Sequence, residues 1–352
     1  MLSLFKPKTA GWVGVDIGSA SVKMVALTKH GQSYQIEGYA VVPLPPTAVV
    51  DGNVEIPGEV SDAIERGMTI CGINLSHAVT AVPSSAVITK RLEISNAFMG
   101  MELEEQVQVE ADQFIPYPLE EVALDFEVVG PVDKAPELNE ILLVACRRDD
   151  ADSREEAING SGLKCEVIDI DTYAIERTLP LLQQGEPGGQ MVGIVDIGGA
   201  TLTLNVFKGN KIVYNREQAF GGNDLTNMIH QQKGMEVAEV ERRLSLGELD
   251  DDTMEMLVLP FRQTVVQQVS RALQFYYSSG SQGQLSKLYL AGGTASLQGL
   301  SAMVSEEIGV PTEVANPFVN MQVAPKVNAA RLQKDAPCLL KACGLAQRSF
   351  DI

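Results

Sequence analysis

The stretch Trp12-Val-Gly-Val-Asp-Ile-Gly-Ser-Ala-Ser-Val-Lys-Met-Val-Ala-Leu27 sets a glycine-bearing turn between two apolar runs. Runs of this length around such a turn predict a β-hairpin. The design recurs at Met191-Val-Gly-Ile-Val-Asp-Ile-Gly-Gly-Ala-Thr-Leu-Thr-Leu-Asn-Val-Phe207, where Asp196 lies 180 positions beyond Asp16. Solenoid repeats recur every ~20–50 residues. One recurrence at the longer spacing points instead to two related lobes.

Both turns carry groups suited to phosphate. Gly18 permits close approach to the backbone, and the amides of Ser19 and Ala20 can point at phosphate oxygens. Ser19 and Ser21 add hydroxyl donors, and Lys23 presents a point charge on the alternating face of its strand. In the second turn Gly198, Gly199 and Ala200 offer backbone and Thr201 a hydroxyl. Asp16 and Asp196, at the strand ends, suit Mg²⁺ held through water, since that ion sheds its hydration shell reluctantly. A third element, Leu288-Tyr-Leu-Ala-Gly-Gly-Thr294 with Gly299 beyond, runs from strand into helix. There Gly292, Gly293 and Thr294 would let a nucleobase or ribose lie against the backbone. Three such elements in this order predict an ATP site.

Composition narrows the alternatives. At 352 residues the chain exceeds one small core. Its net charge of -19, from 46 acidic and 27 basic residues, argues against nucleic acid as a partner. No apolar run approaches the ~20 residues of a membrane-spanning helix. The start, Met1-Leu-Ser-Leu-Phe-Lys-Pro-Lys8, is too short for a secretion signal and is expected to form an arm. Five cysteines without a Cys-x-x-Cys pair predict free thiols, and three isolated histidines give no metal or triad pattern.

Further strands are expected near 33–42, 78–82, 86–94, 140–146, 165–170, 211–214 and 285–290. Helices are expected near 58–70, 102–114, 149–158, 172–182, 223–232, 237–246, 253–278, 297–308 and 337–348. Hairpins and helices in both halves make an α/β architecture. The segment 131–136 reads as a hairpin tip, and 184–189 as a hinge between lobes.

The paired Asp-x-Gly turns and the Gly-rich element Leu288–Gly299 resemble the actin, Hsp70 and FtsA superfamily. Val167–Arg177 and Ala342-Cys-Gly-Leu-Ala346 sit where its two interdomain connectors belong. The run Glu110-Ala-Asp-Gln-Phe-Ile-Pro-Tyr-Pro-Leu-Glu-Glu-Val122 with Ala123-Leu-Asp-Phe126 is similar to the PilM family of actin-like type IV pilus assembly proteins. Val87-Ile-Thr-Lys90, Leu143–Arg147 and Val167–Arg177 are similar to that family too.

The resemblance implies an FtsA-like fold: an arm (1–8), a first lobe (9–83 with 335–352), an inserted subdomain (84–163) and a second lobe (164–334). ATP and Mg²⁺ would lie between the lobes. Asp169 or Asp171 would order an attacking water, the choice depending on register. Gly221 and Gly222 would approach the ribose and phosphates, unless they only begin a helix capped by Asn223 or Asp224. Glu239 with Arg242 or Arg243 would clamp the adenosine, unless they form a solvated face. Many hydrolysing relatives carry a further Gly and Asp where Ala200 and Thr203 stand here, which favours binding over turnover. Phe114–Pro118 would either cap a helix or wall a groove beside the insert. That groove would take the cytoplasmic N-terminal peptide of PilN, an inner-membrane protein, making the chain a peripheral adaptor on the cytoplasmic face. An actin-superfamily ATPase or small-molecule kinase, or an FtsA-like filament former, is the competing expectation.

Overall fold

The computed structural model describes residues 9–183, 189–280 and 283–351. The arm 1–8 and nearly all of the expected hinge lie outside the described residues.

The first hairpin pairs Thr9–Ile17 with Ser21–His30 antiparallel, and its register sets Asp16 opposite Lys23. The Gly18 amide closes the turn by donating to the Ser21 carbonyl at 3.1 Å. Ser33–Pro43 continues the meander, and His77–Val82 joins the other side in parallel. Lys164–Ile170 and the short strand Gln322–Val323 form the two edges of this six-stranded sheet. Both faces of its central strands are covered, which accounts for their nearly continuous apolar runs. Val13, Val15, Val22 and Met24 pack against the helices Pro57–Cys71 and Arg148–Gly160. Val25 and Leu27 pack instead against the last helix, Leu340–Arg348.

The second hairpin, Met191–Ile197 with Thr201–Lys208, repeats the geometry of the first. Asp196 stands opposite Thr203, and the Gly198 amide donates to the Thr201 carbonyl at 2.9 Å. Lys211–Ala219, Lys287–Ala291 and Thr312–Val314 complete a five-stranded sheet. Its core is closed by the helix Leu259–Ser278, which buries Val265, Val269, Leu273 and Tyr276 on one stripe. Each such side chain contributes roughly 1.5–3 kcal/mol on burial. The helix expected from 253 starts at Asp251 and carries a π turn at Met254–Val258. Pro260 lacks the N–H that a regular helix would return to residue 256, and the wider turn absorbs that loss.

The insert is a three-stranded antiparallel sheet in the order Val87–Ser95, Ala135–Arg147, Val122–Val132. The helix Met101–Ala111 covers one face through Val107 and Ala111, against Ile94, Ile141 and Leu143. The expected hairpin tip falls between Val132 and Ala135.

Pairing and packing divide the chain differently from the boundaries expected at 163/164 and 334/335. Helix Arg148–Gly160 buries Ala157 and Ile158 against Val60 and Ile64 of the first lobe. Strand Lys164–Ile170 hydrogen-bonds along His77–Val82, so it too belongs to the first sheet. Phe318, Met321 and Leu332 join Val25, Leu27 and Ile36 in one apolar cluster. These are long-range contacts, which local hydropathy does not encode.

Two helices tie the lobes together. Asp171–Leu182 follows directly on the first sheet and buries Ile175 and Leu179 against Val192, Ile194 and Phe207 of the second. The last helix crosses it, with Leu345 packed on Ala174 and Val79.

Candidate nucleotide cleft

The two hairpin turns face each other where the lobes meet. The Ala200 amide donates to Ser19 Oγ at 3.1 Å. A Cβ at Gly199 would lie 2.8 Å from the Ala20 Cβ and 2.9 Å from Ser19 Oγ, so a side chain there would push the turns apart. Helix Gly222–Lys233 braces the second turn: the Gly222 and Asn223 amides donate to the carbonyls of Gly198 and Gly199 at 2.9 and 2.8 Å. The Gly221 amide donates to Asp224 Oδ2 at 3.1 Å. Those amides are therefore engaged within the protein, and Asp224 rather than Asn223 supplies the cap.

Gly292 closes the third side. Its φ of +86° lies in the left-handed region, and a Cβ would sit 2.2 Å from the Ile197 carbonyl oxygen and 2.7 Å from Asp196 Oδ1. Its amide donates to the Pro337 carbonyl at 2.9 Å. Gly293 faces open space, and Thr294 is buried beside Gly222. The three Gly-rich elements, remote in sequence, thus converge on one cleft.

Charge in the cleft is paired. Lys23 Nζ lies 3.5 Å from Asp16 Oδ2 and donates to the Ser21 carbonyl at 3.2 Å. Asp196 faces neutral Thr203 across its own hairpin and takes its cation from elsewhere. Lys341, on the last helix, places Nζ 2.8 Å from Asp196 Oδ2 and 3.4 Å from Asp171 Oδ2. Burial would lower the Lys341 pKa, but the Asp196, Asp171 and Asp16 carboxylates outweigh it and hold the ammonium well above its ordinary range. Lys341 was not among the residues singled out from sequence. Its signal was a lone charge within Leu340-Lys-Ala-Cys-Gly-Leu-Ala346, since a lysine on a packed helix requires a partner.

The two connector carboxylates differ sharply. Asp169 is buried and pairs with Arg177 Nη1 at 2.7 Å and Arg348 Nε at 3.8 Å, outside the cleft charge cluster. Asp171 faces the cleft: besides Lys341, its Oδ1 accepts from the Ser84 amide at 2.8 Å. Glu239 is held by Arg242 and Arg243 on the exposed helix Val237–Leu246, and Arg242 also pairs with Glu248. Hydrogen bonds from Arg242 and Arg243 hold the Glu239 carboxyl down at about 2. This cluster is satisfied on its own.

The donor set fits a nucleotide: turn amides and hydroxyls converge, and the Ser19 hydroxyl accepts from Ala200 as a phosphate oxygen could. The carboxylates do not fit a divalent ion. Asp16 and Asp196 each carry a lysine, and among the described residues no three His, Cys, Asp or Glu side chains group as metal ligands.

A groove of about 370 Å³ opens between the strand ending at Asp169 and Ile170, which line it, and the insert. Its apolar walls include Val82 and Val167 of the first sheet and Val87, Leu124 and Val144 of the insert. Asp125, Glu155 and Glu166 give it an acidic rim. Among the described residues, strand Lys164–Ile170 has no sheet partner on its edge toward it. Phe114–Pro118 lies elsewhere, packing on the insert core through Ile115, with the Arg147 guanidinium 4.5 Å over the Tyr117 ring.

Two sheets opening on equivalent hairpins, joined by two crossing helices, define an actin-like ATPase fold. The chain belongs to the type IV pilus assembly protein PilM family, whose model matches residues 14–350. It is similar to a chain solved in a PilM–PilN type IV pilus biogenesis complex, at 26% identity and a TM-score of 0.75, over 97% of this chain and 99% of that one. The ethanolamine utilization protein EutJ from Carboxydothermus hydrogenoformans shares the fold at 18% identity and a TM-score of 0.54, over 98% of this chain and 92% of that one. Among the described residues no helix is long and apolar enough to cross a membrane.

Proposed function

We propose that the chain binds ATP in the cleft and, in the groove beside the insert, the cytoplasmic N-terminal peptide of a PilN-like inner-membrane protein. It then acts as a nucleotide-responsive adaptor on the cytoplasmic face of that membrane. Asp171 is the observation that carries this reading, because its two carboxylate oxygens link the cleft to the start of the insert, between the groove-lining Val82 and Val87. One meets Lys341 in the cleft, and the other holds the amide of Ser84, where the insert begins.

Phosphates would be held by the Ser19, Ala20 and Ala200 amides, the Ser19, Ser21 and Thr201 hydroxyls, and Lys23. The adenosine would rest against Gly292–Thr294. An extended peptide could add to the open edge of Lys164–Ile170, gaining backbone hydrogen bonds, while apolar pockets select its side chains and the acidic rim favours basic residues. Any ligand that shifts Asp171 in the cleft changes the groove, and linkage makes the effect reciprocal. Asp171 is engaged by Lys341 and Ser84 rather than free to orient water, which supports binding over turnover.

The test is calorimetry with ATP and with the partner's N-terminal peptide, separately and together. Each ligand is expected to tighten the other, and Asp196→Ala to weaken both. Unchanged peptide affinity with saturating ATP would refute the coupling. Steady-state phosphate release above about 1 s⁻¹, within the usual enzyme range, would favour the ATPase reading.

A further inference from the structure

The first hairpin neutralises its strand-end carboxylate internally, with Lys23 opposite Asp16. The second cannot, because Thr203 stands opposite Asp196. The charge missing from that position arrives from a different part of the chain. Lys341 reaches 2.8 Å from Asp196 and 3.4 Å from Asp171, bridging the second hairpin and the first connector. Asp196 is one of the two strand-end carboxylates expected to anchor the divalent counter-ion of a bound nucleotide, and Lys341 occupies it. We propose that the Lys341 ammonium replaces that divalent ion, so that this chain binds nucleotide without Mg²⁺.

Three features support the substitution. The root of the Lys341 side chain is fixed: its helix packs Leu340 against the second lobe and Ala342 and Cys343 against the first, so the backbone from which the ammonium reaches the cleft cannot move without unseating the helix. A divalent ion at the same oxygens would meet that ammonium at contact distance, where like charges repel strongly in a poorly solvated cleft. Nor do Asp16, Asp171 and Asp196 gather as a metal-ligand set among the described residues. A lysine also suits the geometry, since its three donors can serve two carboxylates and still leave one for an anionic ligand.

The inference rests on the nucleotide reading, and the experiment separates the two. ATP binding by the full chain is measured by calorimetry in excess EDTA and in excess Mg²⁺. Wild type is expected to bind within about threefold in the two buffers. Lys341→Met, checked for folding by circular dichroism, is expected to lose at least tenfold in EDTA and to recover in Mg²⁺, the ion then taking the vacated place. Binding by wild type only in Mg²⁺ overturns the substitution and leaves the nucleotide reading standing. Binding in neither buffer overturns the nucleotide reading and this inference with it. If Lys341→Met does not fold, the two wild-type titrations still decide the matter.

Discussion

Gly344 of the last helix crosses Ala174 of the connector helix so closely that a Cβ on Gly344 would fall 1.8 Å from the Ala174 carbonyl oxygen. No rotamer relieves a clash between a Cβ and backbone, so the helices must separate to admit any side chain. The crossing sits where the chain passes between the sheets. Gly344→Val is expected to destabilise the fold by about 3 kcal/mol or more, and Gly344→Ala by less, both read from urea unfolding midpoints. A change within 0.5 kcal/mol for the valine variant would show that the helices are not packed at this distance.

Asp169 and Asp171 are two residues apart and should behave oppositely. Asp169→Asn takes the buried carboxylate from partly exposed Arg177, which keeps Asp351, and is expected to cost about 1–3 kcal/mol, with ATP affinity unchanged within twofold. Asp171→Asn is expected to shift both ATP and peptide affinity at least fivefold with a smaller loss of stability. Calorimetry beside thermal unfolding reads both effects. The reverse pattern in ATP affinity would place Asp169, which lines the groove, at the nucleotide instead.

Arg154 is almost wholly buried and donates to the carbonyls of Ala81, Asp150 and Gly52. It ties the end of strand His77–Val82 to the turn at Asp51–Gly52. Burial lowers its pKa, opposed chiefly by Asp150. Arg154→Met fills similar volume but leaves these carbonyls without donors, and is expected to cost about 2–4 kcal/mol. Denaturant titration checks the figure.

Alkaline pH should weaken the fold through its buried thiols. All five cysteines are free, and burial pushes the Cys71 thiol up to about 12 and raises that of Cys343 as well. The folded chain therefore keeps protons that the unfolded chain releases above its thiol value near 9. Stability is full below that value and falls as pH rises from about 9 toward 12, by at most ~1.4 kcal/mol per unit for each thiol. Cys71→Ala is expected to remove roughly 2 kcal/mol of the drop between pH 8 and 10.5. An unchanged pH slope in that variant would count against the assignment.

The hairpins were legible in the sequence because everything that makes them is local. Apolar runs, a permissive glycine and a polar turn lie within sixteen contiguous residues, and the register opposing Asp16 to Lys23 follows from the turn length. The recurrence at Asp196 and the Gly-rich run at Gly292 were legible for the same reason, as were most helices. The π turn inside the long helix at Met254–Val258 was not, since apolar spacing does not report it.

Only the tertiary structure decided which charges meet. Asp171, Asp196 and Lys341 come from three distant segments, and no local pattern states that they share one cleft. The same holds for strand Lys164–Ile170, whose sheet is set by its partner His77–Val82 and not by its own residues. Local sequence determined that there are two phosphate-type turns with a carboxylate at each strand end. Long-range packing of the last helix determined that a lysine, not a vacant metal position, answers the second of them.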